Sequence, residues 1–253
     1  MVKDILVCLE GSPGTVRAIE LALELAREHG ARLVGLAISG NGDRHDGVDE
    51  HRARLEARGQ AVGVSTRTLQ VHGQPAATIL EEMTAHDLTI LARSASFLVD
   101  GRSENGETRD NVLHHARKPL ILVPEAPVRA DHDVLVAYDG SSAAKRAVIS
   151  FAESGLAQGR AVHVTSMHED GAEAWEMASR GVELLRERSV PAKPRSLVSE
   201  LAIADALLDV RRKLGAGLLV SGAYASSRLS EMIWGSVTTD LIAKTPVPLF
   251  VHH

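Results

Sequence analysis

The chain has 253 residues, 44% hydrophobic but only 3% aromatic, so its cores must be aliphatic. Its 28 Lys and Arg against 33 Asp and Glu give a formal net charge of −5, without the basic excess of a protein that lives on nucleic acid. One cysteine, Cys8, excludes an internal disulfide, and no run of 18 apolar residues predicts a membrane span or a membrane partner.

The first ten residues read as a strand rather than a signal peptide, because they lack a basic segment, a long apolar run and a small-residue cleavage site. The expected location is the cytoplasm. Ile5–Leu9 is an apolar run of strand length, after which Ser12 is placed to cap a helix with Pro13 in its first turn. Val16, Ile19, Leu23 and Ala26 recur at helical spacing until Gly30 ends the run. Strands are predicted over Leu33–Ile38 and Val64–Val71, with a loop at Ser39–Asp49 that carries Gly40, Gly42 and Gly47. A helix over Pro75–Ala85 and strands over Leu88–Ala92 and Leu120–Val123 complete the first half.

Pro124-Glu125-Ala126-Pro127 reads as a short stiff linker, and beyond it the pattern repeats. Ile5-Leu6-Val7-Cys8-Leu9-Glu10-Gly11-Ser12 matches Val134-Leu135-Val136-Ala137-Tyr138-Asp139-Gly140-Ser141, and Pro119 matches Pro248 at the same offset of 129 residues. Strands are predicted near 134–138, 161–167, 194–198, 217–221 and 249–252. One helix uses Ala144, Ala147, Val148 and Phe151; another uses Trp175, Ala178, Val182 and Leu185. Strands alternating with helices imply right-handed crossovers and a parallel sheet covered on both faces. The expected architecture is therefore α/β, two doubly wound five-stranded Rossmann-like domains in tandem, at 1–126 and 131–253. Ligands of such sheets sit beyond the carboxyl ends of the strands, at the switch in strand order, after the first and fourth strands of each domain.

After the fourth strand of the second domain come Gly222-Ala223-Tyr224-Ala225, nine residues from Ser226 to Trp234, then Gly235-Ser236 and a helix with Val237, Leu241 and Ile242. Small residues after a strand let a ligand approach the backbone. A helix opening at Gly235-Ser236 would attract an anion with its free N–H groups and positive dipole end. Ser226 and Ser236 add hydroxyls and Arg228 a positive charge, together the parts of a triphosphate site. The first domain differs: Ala92 stands for Gly222, Ala95 for Ala225, Glu107 for Ser236 and Glu10 for Asp139, and a carboxylate at Glu107 would repel phosphate. Its nucleotide site is read as degenerate, its role as structural.

On these residues the chain resembles the universal stress protein family over both halves. The family's ATP-binding members carry Gly, two residues, Gly, nine residues, then Gly and Ser or Thr; here the spacing is kept and the second glycine is Ala225. The resemblance implies that Asp139, with Ala137 beside it on the first strand, reaches the adenosine, that Met167 lies against adenine, and that Ser221, Ala223 and Val237 add backbone contacts. It implies ATP, or a related adenine nucleotide, as ligand, with magnesium arriving on its phosphates. It also implies a stress-response sensor or regulator with a protein partner, and a pair of domains joined through their last strands, Leu120–Val123 against Leu249–Val251, with a homodimer also open. Alanine at 225 costs about 1–2 kcal/mol if the site needs positive φ there. Two alternatives stay open: a scaffold that binds no nucleotide, and a weak ATPase or nucleotidyl transferase.

No Walker A motif or Gly-x-Ser-x-Gly elbow occurs, and no general base or nucleophile stands out, so an enzyme is not expected. Ser141 reads as a helix cap, Cys8 as a small core residue and His114-His115 as solvated. His163 and His168, with Glu169 and Asp170, lack the partners of a metal site. His252 and His253 receive no function.

Overall fold

Val, Ile and Leu fill the short runs that become strands because a parallel sheet with helices on both sides buries both faces of each strand. The computed structural model describes residues 1–39, 46–95, 97–99, 102–103, 106–125, 131–223 and 231–253, in two compact units, Met1–Ala126 and Pro127–His253.

Unit 1 contains β1 (Asp4–Leu9), α1 (Gly14–His29), β2 (Arg32–Ser39), α2 (Asp46–Val62), β3 (Thr66–His72), α3 (Pro75–Glu82) with a 3-10 turn at Met83–Ala85, β4 (Leu88–Ala92), a small hairpin of β5 (Leu98–Val99) and β6 (Arg102–Ser103), α4 (Glu107–His115) and β7 (Leu120–Val123). Its parallel strands lie in the order β3-β2-β1-β4-β7, so the order reverses between β1 and β4. Unit 2 contains β8 (Asp131–Ala137), α5 (Ser142–Ser154), β9 (Val162–Met167), α6 (Gly171–Arg186), β10 (Ala192–Leu197), α7 (Ile203–Leu214), β11 (Ala216–Gly222), α8 (Glu231–Lys244) and β12 (Leu249–His252). Its order, β10-β9-β8-β11-β12, reverses between β8 and β11. This is the doubly wound α/β architecture read from the sequence.

The repeat is kept in register. Ile5 pairs with Leu88 in unit 1 as Val134 pairs with Leu218 in unit 2, which makes Ala92 and Gly222 structural equivalents. Both cores are aliphatic, with Phe151 and Phe250 in edge contact at 5.9 Å the one aromatic pair among the described residues.

Several local expectations change. The helix α2 reaches back to Asp46, into the segment read as loop; residues 40–45 lie outside the described residues. Its buried face is made by His51, Leu55 and Gly59 rather than an apolar stripe, so hydrophobic periodicity does not reveal it. A Cβ on Gly59 would lie 2.4 Å from Thr66 Cγ2, so the helix sits close on β3. Trp175 is not on the inner face of α6: it is 52% exposed, and Ala174, Ala178, Val182 and Leu185 are buried instead. Ser12 does not cap α1. Its hydroxyl donates to Glu10, and α1 has no side-chain cap. His252 belongs to β12, opposite Gly222, with Ser150 Oγ 2.5 Å from its Nδ1.

Candidate functional site

The switch point of unit 2 is framed by the ends of β8 and β11 and the start of α5. Ser141 caps α5 by accepting from Ala144 N at 3.1 Å, as the sequence predicts, and Ser141 N donates to Asp139 Oδ1 at 3.0 Å. Ala137, Asp139, Ser141, Ala143, Ala144, Ser221, Gly222 and Thr238 line a narrow cleft of about 10 Å³, room for about one water. Four predicted residues therefore meet there: Ala137, Asp139, Ser221 and Gly222. The first turn of α5 faces the same cleft with the positive end of its dipole.

Beneath the cleft, Tyr138 is buried, and burial with the neighbouring Asp139 carboxylate pushes its phenol up from the ordinary value. Ser166 Oγ donates to the Tyr138 carbonyl at 2.5 Å, tying β9 to the end of β8. Gly140 has φ +77°, and a Cβ there would lie 2.8 Å from Met177 Sδ, so α6 closes over the Asp139-Gly140-Ser141 turn. The positive φ is what calls for glycine at 140, since the Met177 thioether belongs to a flexible side chain that can move aside.

Gly222 has a packing reason of its own. A Cβ there would stand 2.6 Å from Ala144 N and 2.7 Å from Ala143 C, so the backbone of α5 occupies the side-chain position. The sequence assigned that close approach to a ligand; the structure assigns it to a helix. The equivalent place in unit 1 reverses the sizes: the strand carries Ala92 and the helix Gly14, whose added Cβ would lie 3.0 Å from Ala92 Cβ.

The other predicted residues are placed as follows. Met167 ends β9, half-buried and outside the cleft lining, and Ala223 is buried with its N–H on the His252 carbonyl at 3.1 Å. Val237 is a buried side chain of α8. Ala225, Ser226 and Arg228 lie outside the described residues. Gly235 and Ser236 do not open α8, which begins at Glu231. The free N–H groups of a helix are its first four, so Gly235 and Ser236 lie beyond them. Glycine followed by serine imitates a helix start, but the preceding residues continue the helix.

Thr238 was missed as a lining residue. It is buried, with Oγ1 3.4 Å from the Gly222 carbonyl, and its position one turn after Gly235 on the inner face of α8 is the signal that places it.

In unit 1 the strand-end carboxylate is closed off. Glu10 is 1% exposed. Its carboxylate accepts from Ser12 N at 2.7 Å, from Thr15 Oγ1 at 2.7 Å and from the Ser12 hydroxyl. Asp139, one methylene shorter and half-buried, takes only the Ser141 N–H on Oδ1, and its Oδ2 has no hydrogen-bond partner among the described residues. Glu107 is exposed in the first turn of α4.

The remaining polar candidates have separate partners. His163 Nε2 lies 3.5 Å from Asp133, and His168 Nε2 lies 3.2 Å from Glu173. Cys8 is fully buried in β1, where burial pushes its thiol far up.

The model of the universal stress protein family matches residues 1–124 and again 132–253. The chain belongs to the universal stress protein family. A universal stress protein of Synechocystis is 22% identical over 165 residues, 64% of this chain and 56% of that relative, so the chain matches little more than half of its length. The crystal structure of a universal stress protein from Archaeoglobus fulgidus superposes with a TM-score of 0.72 at 19% identity, covering 98% of this chain and 95% of that one. A family protein from Arabidopsis thaliana with AMP bound matches 48% of this chain and 91% of its own, at 14% identity and a TM-score of 0.36. Among the described residues no helix is long and apolar enough to cross a membrane.

Proposed function

We propose that unit 2 binds an adenine nucleotide, ATP, at the β8–β11 switch point, one per chain, and that the protein acts as a nucleotide-loaded sensor or regulator of a stress response. The observation that carries this reading is the contrast between two equivalent carboxylates. Glu10 is saturated by its own loop, whereas Asp139 lines the narrow cleft and keeps an oxygen without a partner among the described residues. A free carboxylate oxygen at a strand end, beside a helix N-terminus, suits ribose hydroxyls on one side and phosphate on the other. Ser141, Ser221 and Thr238 add hydroxyls, and Arg228 of the sequence supplies the cation for the phosphates; magnesium enters with them.

Calorimetry with ATP tests the reading. It expects one site per chain, weakened roughly tenfold or more by Asp139→Asn and by Arg228→Ala, while Glu10→Gln leaves affinity unchanged. Absence of binding at millimolar ATP overturns it. The second reading, a family member that acts through protein contacts without nucleotide, is favoured by the packing role of Gly222: that glycine is explained without any phosphate. On that reading ATP leaves the melting temperature unmoved.

A further inference from the structure

The opposite end of the unit 1 sheet, at the amino ends of β1, β2 and β3, holds a cavity of about 420 Å³, within the range of small-ligand sites, about 300–1,000 Å³. Val34 and Leu69 give it an apolar floor; Val34 pairs in register with Arg67, so the three share one face of the sheet. His86, 9% exposed, donates Nδ1–H to the Glu82 carbonyl at 2.7 Å, which leaves Nε2 as an acceptor. Arg32 is already held by both oxygens of Asp4, at 2.7 and 2.9 Å. Arg67 and Glu82 are different. They line the same cavity with opposite charge, and among the described residues neither side chain has an ion-pair or hydrogen-bond partner.

Unit 2 supplies an internal control. There His163 stands where Val34 does and Arg195 where Leu69 does, and these polar side chains satisfy each other and Asp133, at 3.4 and 3.5 Å. In unit 1 the same ground is apolar and open, between two charges without partners.

We infer that unit 1 carries a ligand site in this cavity for a small zwitterion with an apolar body, that is, an apolar α-amino acid. Its carboxylate takes Arg67, its ammonium takes Glu82, and its side chain lies on Val34 and Leu69. The paired Arg32 and Asp4 cancel, and so do Arg67 and Glu82, so the lining as a whole matches a net-neutral ligand. A phosphate or nucleotide would meet two carboxylates.

Calorimetry on the full chain tests this with L-leucine as the probe, beside 4-methylpentanoate, which lacks the ammonium, and 3-methylbutylamine, which lacks the carboxylate. Leucine is expected to bind, with each truncated analogue weaker by roughly tenfold or more, the worth of a charge-assisted hydrogen bond. Arg67→Gln and Glu82→Gln each weaken leucine by a similar factor, and Val34→His, which imports the residue of unit 2, removes binding. Thermal melts of the unliganded variants establish that they are folded; if Val34→His is not, the two charge variants decide. No heat at about 10 mM leucine, equal binding of 4-methylpentanoate, or unchanged affinity in both charge variants overturns the inference.

Discussion

Gly222→Ala is the sharpest test of how the switch point is built. The new Cβ would stand 2.6 Å from Ala144 N and 2.7 Å from Ala143 C, backbone atoms of a capped helix that cannot swing aside as a side chain can. Either β11 or the start of α5 must shift by several tenths of an ångström. Overpacking of this kind costs about 1–3 kcal/mol. For a chain of this length about 2 kcal/mol lowers Tm by roughly 4–8 °C. Differential scanning calorimetry without nucleotide reads the loss directly. Unit 1 offers the reciprocal cycle: Gly14→Ala puts a methyl 3.0 Å from Ala92 Cβ and 2.8 Å from Ser94 Oγ, and Ala92→Gly added to it removes the first contact. That pair is expected to couple by about 0.5–3 kcal/mol, so the double variant is more stable than the sum of the singles. A Gly222→Ala protein that melts within a degree of the parent, or an additive Gly14–Ala92 pair, would refute the claim that helix–strand approach fixes these glycines.

Gly35 and Leu55 in unit 1 face each other where unit 2 has Val164 and Gly181. A Cβ on Gly35 would lie 2.4 Å from Leu55 Cδ2, so Gly35→Val is expected to destabilise by about 1–3 kcal/mol in urea melts and to be partly rescued by Leu55→Ala. Glu10→Ala strips the carboxylate acceptor from the part-buried Ser12 N–H, while the Thr15 hydroxyl keeps the Glu10 carbonyl at 2.9 Å, and is expected to cost about 1–3 kcal/mol, whereas Asp139→Ala, with its one bond at the more open site, costs about 1 kcal/mol by the same urea assay. Burial raises the Cys8 thiol, so iodoacetamide at pH 8 is expected to leave the native protein unmodified and to alkylate it fully in denaturant; mass spectrometry reads both. The Arg32 guanidinium holds the Asp4 carboxyl below its ordinary value. A depressed carboxylate stabilises the fold above its unfolded pKa and ceases to as pH falls through the folded one, so Asp4→Asn is expected to lower Tm at pH 7 and to lose that effect in acid below about pH 4.

Strand runs, repeat and switch points were legible because each follows from a local rule: apolar runs of strand length, matching segments at one offset, a cap at Ser141 that bonds to Ala144. The meaning of the glycines was not, because it depends on residues distant in sequence. Gly222 against Ala92 reads in one dimension as a kept and a lost ligand loop. In three dimensions it is half of an exchange, Ala143 with Gly222 against Gly14 with Ala92, in which strand and helix share one methyl between them. The exchange of Gly35 and Leu55 for Val164 and Gly181 obeys the same rule between the second strand and second helix of each unit. Two copies of one fold can therefore drift at contact positions in pairs, and single-position comparison mistakes the drift for loss of function. The Glu10–Asp139 difference also comes with a partner exchange, Thr15 against Ala144, but this exchange does not restore equivalence. The longer side chain reaches back to Ser12 and Thr15 and occupies its own acceptors; the shorter one, facing Ala144 in place of Thr15, leaves Oδ2 without a partner among the described residues. The asymmetry between the units thus rests less on the glycines than on which strand-end carboxylate keeps an oxygen without a hydrogen-bond partner among the described residues.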